Sequence, residues 1–198
     1  MTLTAQPPSV NKKESLVEIS PGVFEKAKNI RMLILDVDGV LTDGLLFYGS
    51  KGMELKAFHV QDGFGIRAAQ RMGIVVAIIT GRDSDIVAQR TQELGISEVY
   101  QGVTSKIEVY NKLLSRYSLK DENVAYIGDD VLDLPILIRV GLSLAPANAH
   151  PEVKARVDYV AERSGGQGAV REVTEILLKA QGHWEALLER YIDGRVDD

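Results

Sequence analysis

Short apolar runs alternate with longer amphipathic segments along most of the chain. The short runs are rich in β-branched residues and predict strands at 31–36, 74–79, 97–101, 123–127, 141–145 and 157–160. The longer segments carry apolar residues at helical spacing and predict helices near 63–72, 83–94, 105–117, 131–139 and 169–180. Strands that are apolar throughout and separated by helices indicate an α/β fold in which a parallel sheet has helices on both faces.

One segment departs from this alternation. Residues 45–48 and 53–60 flank the turn-forming sequence 49–52 and predict a β-hairpin. Because the hairpin follows strand 31–36 directly, we expect it to form a flap over the carboxyl end of that strand. No insertion elsewhere is large enough to form a separate cap domain.

The length of the chain, 198 residues, suits one domain. We expect a polar N-terminal arm over residues 1–20, one folded domain over 21–182, and a C-terminal tail over 183–198. The tail has an apolar face that includes Trp184 and Tyr191, and no strand follows for it to cover. We therefore expect the tail to dock on a neighbouring subunit, because an exposed apolar face of this kind usually has a partner.

Composition narrows the class of protein. A net charge of −5 argues against nucleic acid or an anionic membrane as the main partner. The absence of cysteine excludes disulfides and thiolate metal sites, and it fits a reducing compartment. No apolar run approaches the roughly 18 residues of a membrane span, and the N-terminus lacks the pattern of a cleaved leader, so we expect a cytoplasmic protein.

Two aspartates at the end of strand 31–36 are the strongest functional signal. Asp36 and Asp38 follow an apolar run and precede Gly39. Two unit charges about 4 Å apart repel by roughly 4 kcal/mol at an effective dielectric constant of about 20. Nothing in the strand offsets this repulsion, so a cation or a proton is expected there. The alternative is a simple acidic turn, since an Asp-Gly pair is common in bends.

Polar residues also follow other predicted strands. Thr80 to Asp83 follow strand 74–79 in a glycine turn that we expect to open a helix, and Lys106 lies near the start of the next helix. Asp129 follows strand 123–127, and Asp133 would share a helical face with it if a helix begins there. Each cluster could also be structural, as a helix cap or a surface lysine. Ligands of parallel sheets bind beyond the carboxyl ends of the strands, so we expect these groups to meet.

Phosphoryl transfer is the chemistry that such groups suit. Asp36 can attack phosphorus to form an aspartyl-phosphate, and Asp38 can act as general acid and then as general base. Thr80 and Lys106 would hold oxygens of the transferred group. Asp129 would complete a Mg²⁺ site, because Mg²⁺ prefers hard oxygen ligands and commonly takes one or two carboxylates.

With these residues the chain resembles the phosphatases of the haloacid dehalogenase superfamily. The motifs that carry the resemblance are Asp36–Thr42, Thr80–Arg82, Lys106 and Gly128–Asp133. An Asp two residues after the nucleophile is the pattern of phosphatases and phosphomutases rather than of dehalogenases. Two further segments, 58–65 and 163–172, resemble a capless subfamily that hydrolyses the 8-phosphate of 3-deoxy-D-manno-octulosonate, a precursor of bacterial lipopolysaccharide.

This resemblance implies a Rossmann-like domain over 21–182 that lacks a cap. It also implies a homotetramer in which hairpins and neighbouring subunits close the site. Mg²⁺ would be bound by Asp36, the backbone carbonyl of Asp38, and Asp129. The residues implied to contact the sugar phosphate are Asp38, His59, Val60, Gln61, Asp62, Gly63, Arg67, Arg82, Arg90 and Lys106.

Several alternatives stay open at this point. A phosphatase for a nine-carbon nonulosonate 9-phosphate differs by one carbon in the substrate, and a non-catalytic oligomerisation module could share the fold. A phosphomutase is disfavoured because no cap-sized insertion is present. Without the resemblance, Arg67 and Arg90 would be surface helix residues. The glycine-rich segment 165–168 could be a linker, but we expect it to let the backbone approach a ligand or a neighbouring subunit.

Overall fold

The computed structural model describes residues 19–50 and 54–195. Its helices are α1 Pro21–Ala27, α2 Val60–Arg71, α3 Asp85–Glu93, α4 Lys106–Tyr117, α5 Leu134–Leu137, α6 Pro151–Lys154, α7 Ala169–Ala180 and α8 Trp184–Ile192. Its strands are β1 Met32–Leu35, β2 Phe47–Tyr48, β3 Glu54–Leu55, β4 Val75–Ile79, β5 Glu98–Tyr100, β6 Val124–Ile127, β7 Leu142–Ala145 and β8 Tyr159–Val160. Most of the predicted N-terminal arm, residues 51–53, which include half of the predicted turn 49–52, and the last three residues of the tail lie outside the described residues.

Six parallel strands form the main sheet in the order β5-β4-β1-β6-β7-β8, which confirms the six strands predicted from the sequence. β1 lies between β4 and β6, and Leu35 is in register with Ile78 and Ile127. The carboxyl ends of β4, β1 and β6 therefore lie side by side. These are the strands whose ends carry Thr80, Asp36 and Asp129.

Successive side chains of β1 point to opposite faces of the sheet, and helices cover both faces. Leu33 and Leu35 belong to the core on the side of α1, α2 and α7. Met32 and Ile34 belong to the core on the side of α4 and α5. All four side chains are fully buried, and this explains why the strand has no polar alternation.

Three predicted boundaries were wrong. The predicted helix 131–139 is a 3₁₀ turn, Val131–Asp133, followed by the single-turn helix α5. α3 begins at Asp85 rather than 83, because the Ser84 hydroxyl accepts the N–H of Val87 and caps the helix. α2 begins at Val60, so the second strand of the hairpin ends well before residue 60. Helices α1, α6 and α8 were not predicted.

β2 and β3 pair antiparallel, with Phe47 opposite Leu55, as the predicted hairpin requires. The C-terminal helix α8 packs on its own chain: Leu187 is buried with Ala68 of α2 and Leu178 of α7. Docking of the tail on a neighbouring subunit therefore stays a prediction for its outer face. Within the described part of the chain, every helix is too short or too polar to cross a bilayer.

Candidate active site

The loop after β1 is a compact turn that holds Asp36 and Asp38 at the centre of the sheet edge. The carbonyl of Val37 accepts the N–H groups of Val40, Leu41 and Thr42. The buried Thr42 hydroxyl accepts the N–H groups of Gly39 and Gly44 at 3.4 and 3.2 Å. Local hydrogen bonds thus fix the backbone that carries both aspartates.

Lys106 is the cation beside Asp36. Its ammonium lies 2.9 Å from Asp36 Oδ2 and 2.7 Å from Asp133 Oδ1. Burial alone would lower the pKa of the Lys106 ammonium, but the two carboxylates outweigh burial and raise it. The Lys106 side chain is therefore held charged next to Asp36, the predicted nucleophile. Lys106 reaches this position from the first residue of α4 and not from the end of a strand.

Asp133 organises the site, and the sequence analysis assigned it no role. Its Oδ1 accepts the Tyr126 hydroxyl at 2.5 Å as well as Lys106, and its Oδ2 accepts the N–H groups of Asp129 and Asp130 at 3.1 and 3.2 Å. The condition under which Asp129 and Asp133 would share a helical face is not met, because the 3₁₀ turn begins at Val131. Asp133 instead caps the 3₁₀ turn, as an acid three residues after Asp130 could have signalled.

Asp36, Asp129 and Asp133 each offer an oxygen within 4.8 Å of the others. Burial, together with neighbouring carboxylates, raises the pKa of Asp36 to about 6 and that of Asp129 to about 7. Both oxygens of Asp133 already accept protein hydrogen bonds, so Asp36 and Asp129 are the stronger candidates for holding a cation. Two crowded carboxylates with hard oxygens fit a divalent ion such as Mg²⁺.

Gly39 makes room for this cluster. Its φ is +86°, and a Cβ at this position would lie 2.0 Å from Asp129 Oδ2. A side chain would therefore both strain the backbone and displace Asp129. The glycine of the first motif is explained by this approach of Asp129 to the loop that carries Asp36 and Asp38.

Asp38 is held from two sides. Its Oδ1 forms an ion pair with the ammonium of Lys56, and its Oδ2 lies 3.7 Å from Arg82 Nε. Arg82 also donates to the Tyr48 hydroxyl at 2.6 Å. Lys56 and Tyr48 belong to the hairpin segment, and neither was predicted as a site residue. The hairpin thus reaches the carboxyl end of β1.

Thr80 is buried at the end of β4, beside the end of β1. Its N–H donates to the carbonyl of Tyr100, and its carbonyl accepts the N–H of Val103, at 3.0 and 3.1 Å. The expectation that Thr80 and Gly81 open a helix was wrong, because α3 starts at Asp85. Thr80 nevertheless lies next to the strand that carries Asp36.

Comparison with known proteins assigns the chain to a family. Residues 89–173 match the haloacid dehalogenase-like hydrolase family. The chain is 54% identical over 164 residues to the 3-deoxy-D-manno-octulosonate 8-phosphate phosphatase of Salmonella typhimurium, over 83% of this chain and 87% of the relative. It belongs to the 3-deoxy-D-manno-octulosonate 8-phosphate phosphatase family. The corresponding phosphatase of Yersinia pestis is 48% identical, over 84% of this chain and 89% of the relative.

Solved structures of this phosphatase family share the fold. The crystal structure of the Yersinia pestis enzyme matches with a TM-score of 0.82 at 48% identity, over 83% of this chain and 89% of that chain. The crystal structure of the Moraxella catarrhalis enzyme, in complex with magnesium ion, phosphate ion and KDO, matches with a TM-score of 0.84 at 42% identity, over 85% and 97%. The predicted superfamily and α/β fold are confirmed.

The other substrate residues implied by membership of the octulosonate phosphatase family form a second set, which we call the α2–α3 group: His59, Val60, Gln61, Asp62, Gly63, Arg67 and Arg90. Their contacts include residues of α3 and α7, as well as Phe58 and Arg163. The Arg90 guanidinium packs 5.9 Å from the centre of the Phe58 ring. A Cβ on Gly63 would lie 2.6 Å from Nη2 of Arg90. Arg67 donates to the carbonyl of Glu93 at 2.6 Å.

Buried polar atoms mark this α2–α3 group. Asp62 is almost fully buried and its Oδ1 accepts the N–H of Arg171 at 2.7 Å, while burial raises the pKa of its carboxyl. Within the described residues, Asp62 Oδ2 and His59 Nδ1 have no hydrogen-bond partner. Gln61 accepts from Arg163 at 3.0 Å, and Val60 is exposed. The α2–α3 group also borders the loop after β1, because Leu41 lines the same cavity as His59 and Asp62.

The glycine-rich segment after β8 supports the loop after β1, a role that the sequence analysis missed. Asn148 donates to the carbonyl of Gly39 at 3.2 Å and accepts the N–H of Gly165 at 2.7 Å. A Cβ on Gly165 would lie 1.8 Å from the Gly39 carbonyl oxygen. The close approach expected for segment 165–168 exists in the structure. In the structure this approach is to the loop after β1 of the same chain, and the expected contact with a ligand or a neighbouring subunit stays a prediction.

Proposed function

We propose that this chain is a Mg²⁺-dependent phosphatase that hydrolyses 3-deoxy-D-manno-octulosonate 8-phosphate to 3-deoxy-D-manno-octulosonate and phosphate. The observation that supports this most directly is the cluster of Asp36 and Asp129 at adjoining strand ends with Lys106 at the start of α4, beside Asp38. Membership of the octulosonate phosphatase family supplies the substrate. The product would enter the synthesis of bacterial lipopolysaccharide.

In the proposed first step, an Asp36 oxygen attacks phosphorus and the bond from phosphorus to the sugar oxygen breaks. The departing oxygen takes a proton from Asp38. In the second step, water attacks phosphorus, gives its proton to Asp38, and the bond to Asp36 breaks. Oδ2 is the oxygen of Asp38 suited to both proton transfers, because Lys56 occupies Oδ1.

Mg²⁺ would be held by Asp36, Asp129 and the backbone carbonyl of Asp38. When bound, it neutralises negative charge on the carboxylates and the phosphate. Lys106 adds an ammonium 2.9 Å from Asp36, from where it can bind a phosphoryl oxygen, and Thr80 is proposed to bind another. The raised pKa values of Asp36 and Asp129 support this assignment, because a cation favours their ionised forms.

We further propose a cytoplasmic homotetramer whose catalytic domain spans 21–182. The α2–α3 group would bind the sugar, with Arg67 and Arg90 suited to its carboxylate. Leu45, Phe47 and Leu55 of the hairpin segment are 58%, 54% and 60% exposed, and such a patch favours burial against a neighbouring subunit. Light scattering on the purified chain tests the tetramer, and a monomer at working concentration would contradict it.

Turnover of sugar phosphates tests the activity. We expect Mg²⁺-dependent phosphate release from the octulosonate 8-phosphate to exceed release from a nonulosonate 9-phosphate. Asp36→Asn should abolish release and leave the assembly unchanged, whereas the exposed Asp85→Asn should retain activity. A preference for the 9-phosphate would reassign the substrate. If the wild-type chain releases phosphate from no sugar phosphate, a non-catalytic oligomerisation module would be the better interpretation.

A further inference from the structure

Lys56 is a buried cation on the hairpin segment. It follows β3 directly, and only 1% of its side chain is exposed. A charged ammonium in such a place is costly unless it is paired, because burial removes its hydration. Lys56 donates to Asp38 Oδ1, from a position 18 residues further along the chain. The ion pair thus links the packing of the hairpin end to the position of Asp38.

This ion pair makes the two oxygens of Asp38 different. Oδ1 is engaged by Lys56, while Oδ2 lies 3.7 Å from Arg82 Nε, beyond hydrogen-bond distance. Arg82 is itself tied to the hairpin by its hydrogen bond to the Tyr48 hydroxyl. The carboxylate of Asp38 is therefore oriented by two groups that the hairpin places, and Oδ2 is the oxygen left to exchange a proton.

We propose that Lys56 is a positioning residue, which orients Asp38 so that Oδ2 faces the leaving oxygen of the substrate. This inference rests on the proposed acid and base role of Asp38. A proton is transferred efficiently only when donor and acceptor approach to about 2.6–3.2 Å. A carboxylate released from Lys56 could rotate its reactive oxygen away, and a misplacement of about 1 Å can cost roughly 100-fold in rate.

The test is the dependence of kcat/KM on the basicity of the leaving group. A series of phenyl phosphates, from 4-nitrophenyl phosphate to unsubstituted phenyl phosphate, provides leaving groups of increasing basicity and nearly constant size. The more basic the leaving oxygen, the more the reaction depends on its protonation. Lys56→Met should lower kcat/KM about tenfold or more for phenyl phosphate and only slightly for 4-nitrophenyl phosphate, because general acid catalysis contributes about 10²–10⁴-fold when it is needed. The slope does not depend on the amount of folded enzyme, so partial misfolding does not imitate the result.

Matched variants separate the alternatives. Asp38→Asn should steepen the slope, and the double variant with Lys56→Met should have the slope of Asp38→Asn alone. Lys26→Met removes a lysine from its ion pair with Asp158 elsewhere on the surface and should keep the wild-type slope. A uniform fall of kcat/KM in Lys56→Met, with the slope unchanged, would overturn the proposal for Lys56. If Asp38→Asn also keeps the wild-type slope, the proposed role of Asp38 fails instead.

Discussion

Asp36→Asn is expected to stabilise the metal-free protein at neutral and higher pH, although it removes the proposed nucleophile. Burial, together with the charge of Asp133, raises the pKa of Asp36 from 3.8 to about 6, despite the opposing effect of Lys106. Between these pH values the folded chain retains a proton at Asp36 that the unfolded chain has lost. The stability of the folded state therefore falls as the pH rises through this window.

The expected size follows from the difference in pKa. A difference of about 2.2 corresponds to about 3 kcal/mol, at about 1.4 kcal/mol per pKa unit. Asparagine resembles the neutral carboxyl. Above pH 7, the free energy of unfolding of the variant should therefore be about 3 kcal/mol higher than that of the wild type. The pKa of Asp129, raised to about 7, adds to the fall in the wild type over a wider pH window.

Urea unfolding with a chelator, from pH 5 to pH 8, measures this difference. The exposed Asp85→Asn serves as the control and should follow the wild type at every pH. Added Mg²⁺ should stabilise the wild type more at pH 8 than at pH 5, because the metal binds ionised carboxylates. An equal stability difference between Asp36→Asn and the wild type at both ends of the pH range would refute the reasoning.

Two further substitutions test the geometry around the metal site. Gly39→Ala would place a Cβ 2.0 Å from Asp129 Oδ2, so we expect at least a tenfold higher Mg²⁺ concentration for half-maximal activity; an unchanged Mg²⁺ titration would contradict the assigned role of Gly39. Asp133→Asn replaces one of the two oxygens that accept from Lys106 and from the backbone N–H groups. Urea unfolding should therefore show a free energy of unfolding lower by about 3 kcal/mol or more, and kcat should fall strongly. Asp130→Asn on the exposed neighbour is the control, and equal losses in both variants would contradict the prediction.

The sequence alone was sufficient for the sheet and for the acidic strand end. Both depend on local patterns: apolar β-branched runs predict strands, and Asp36 and Asp38 follow one such run directly. Parallel pairing then implied that Thr80 and Asp129 would lie near Asp36, because neighbouring strands end at one edge. The prediction was weaker for helix starts, where a single hydroxyl such as that of Ser84 decides the boundary.

Only the tertiary structure decided how the aspartates are held. Lys56 contacts Asp38 across 18 residues of chain, Lys106 contacts Asp133 across 27, and Asn148 contacts Gly39 across 109. No local sequence pattern predicts these contacts, because they form when packed layers bring separate loops together. Hydrophobic periodicity therefore specifies which elements form, whereas partners of buried charges follow from how those elements pack.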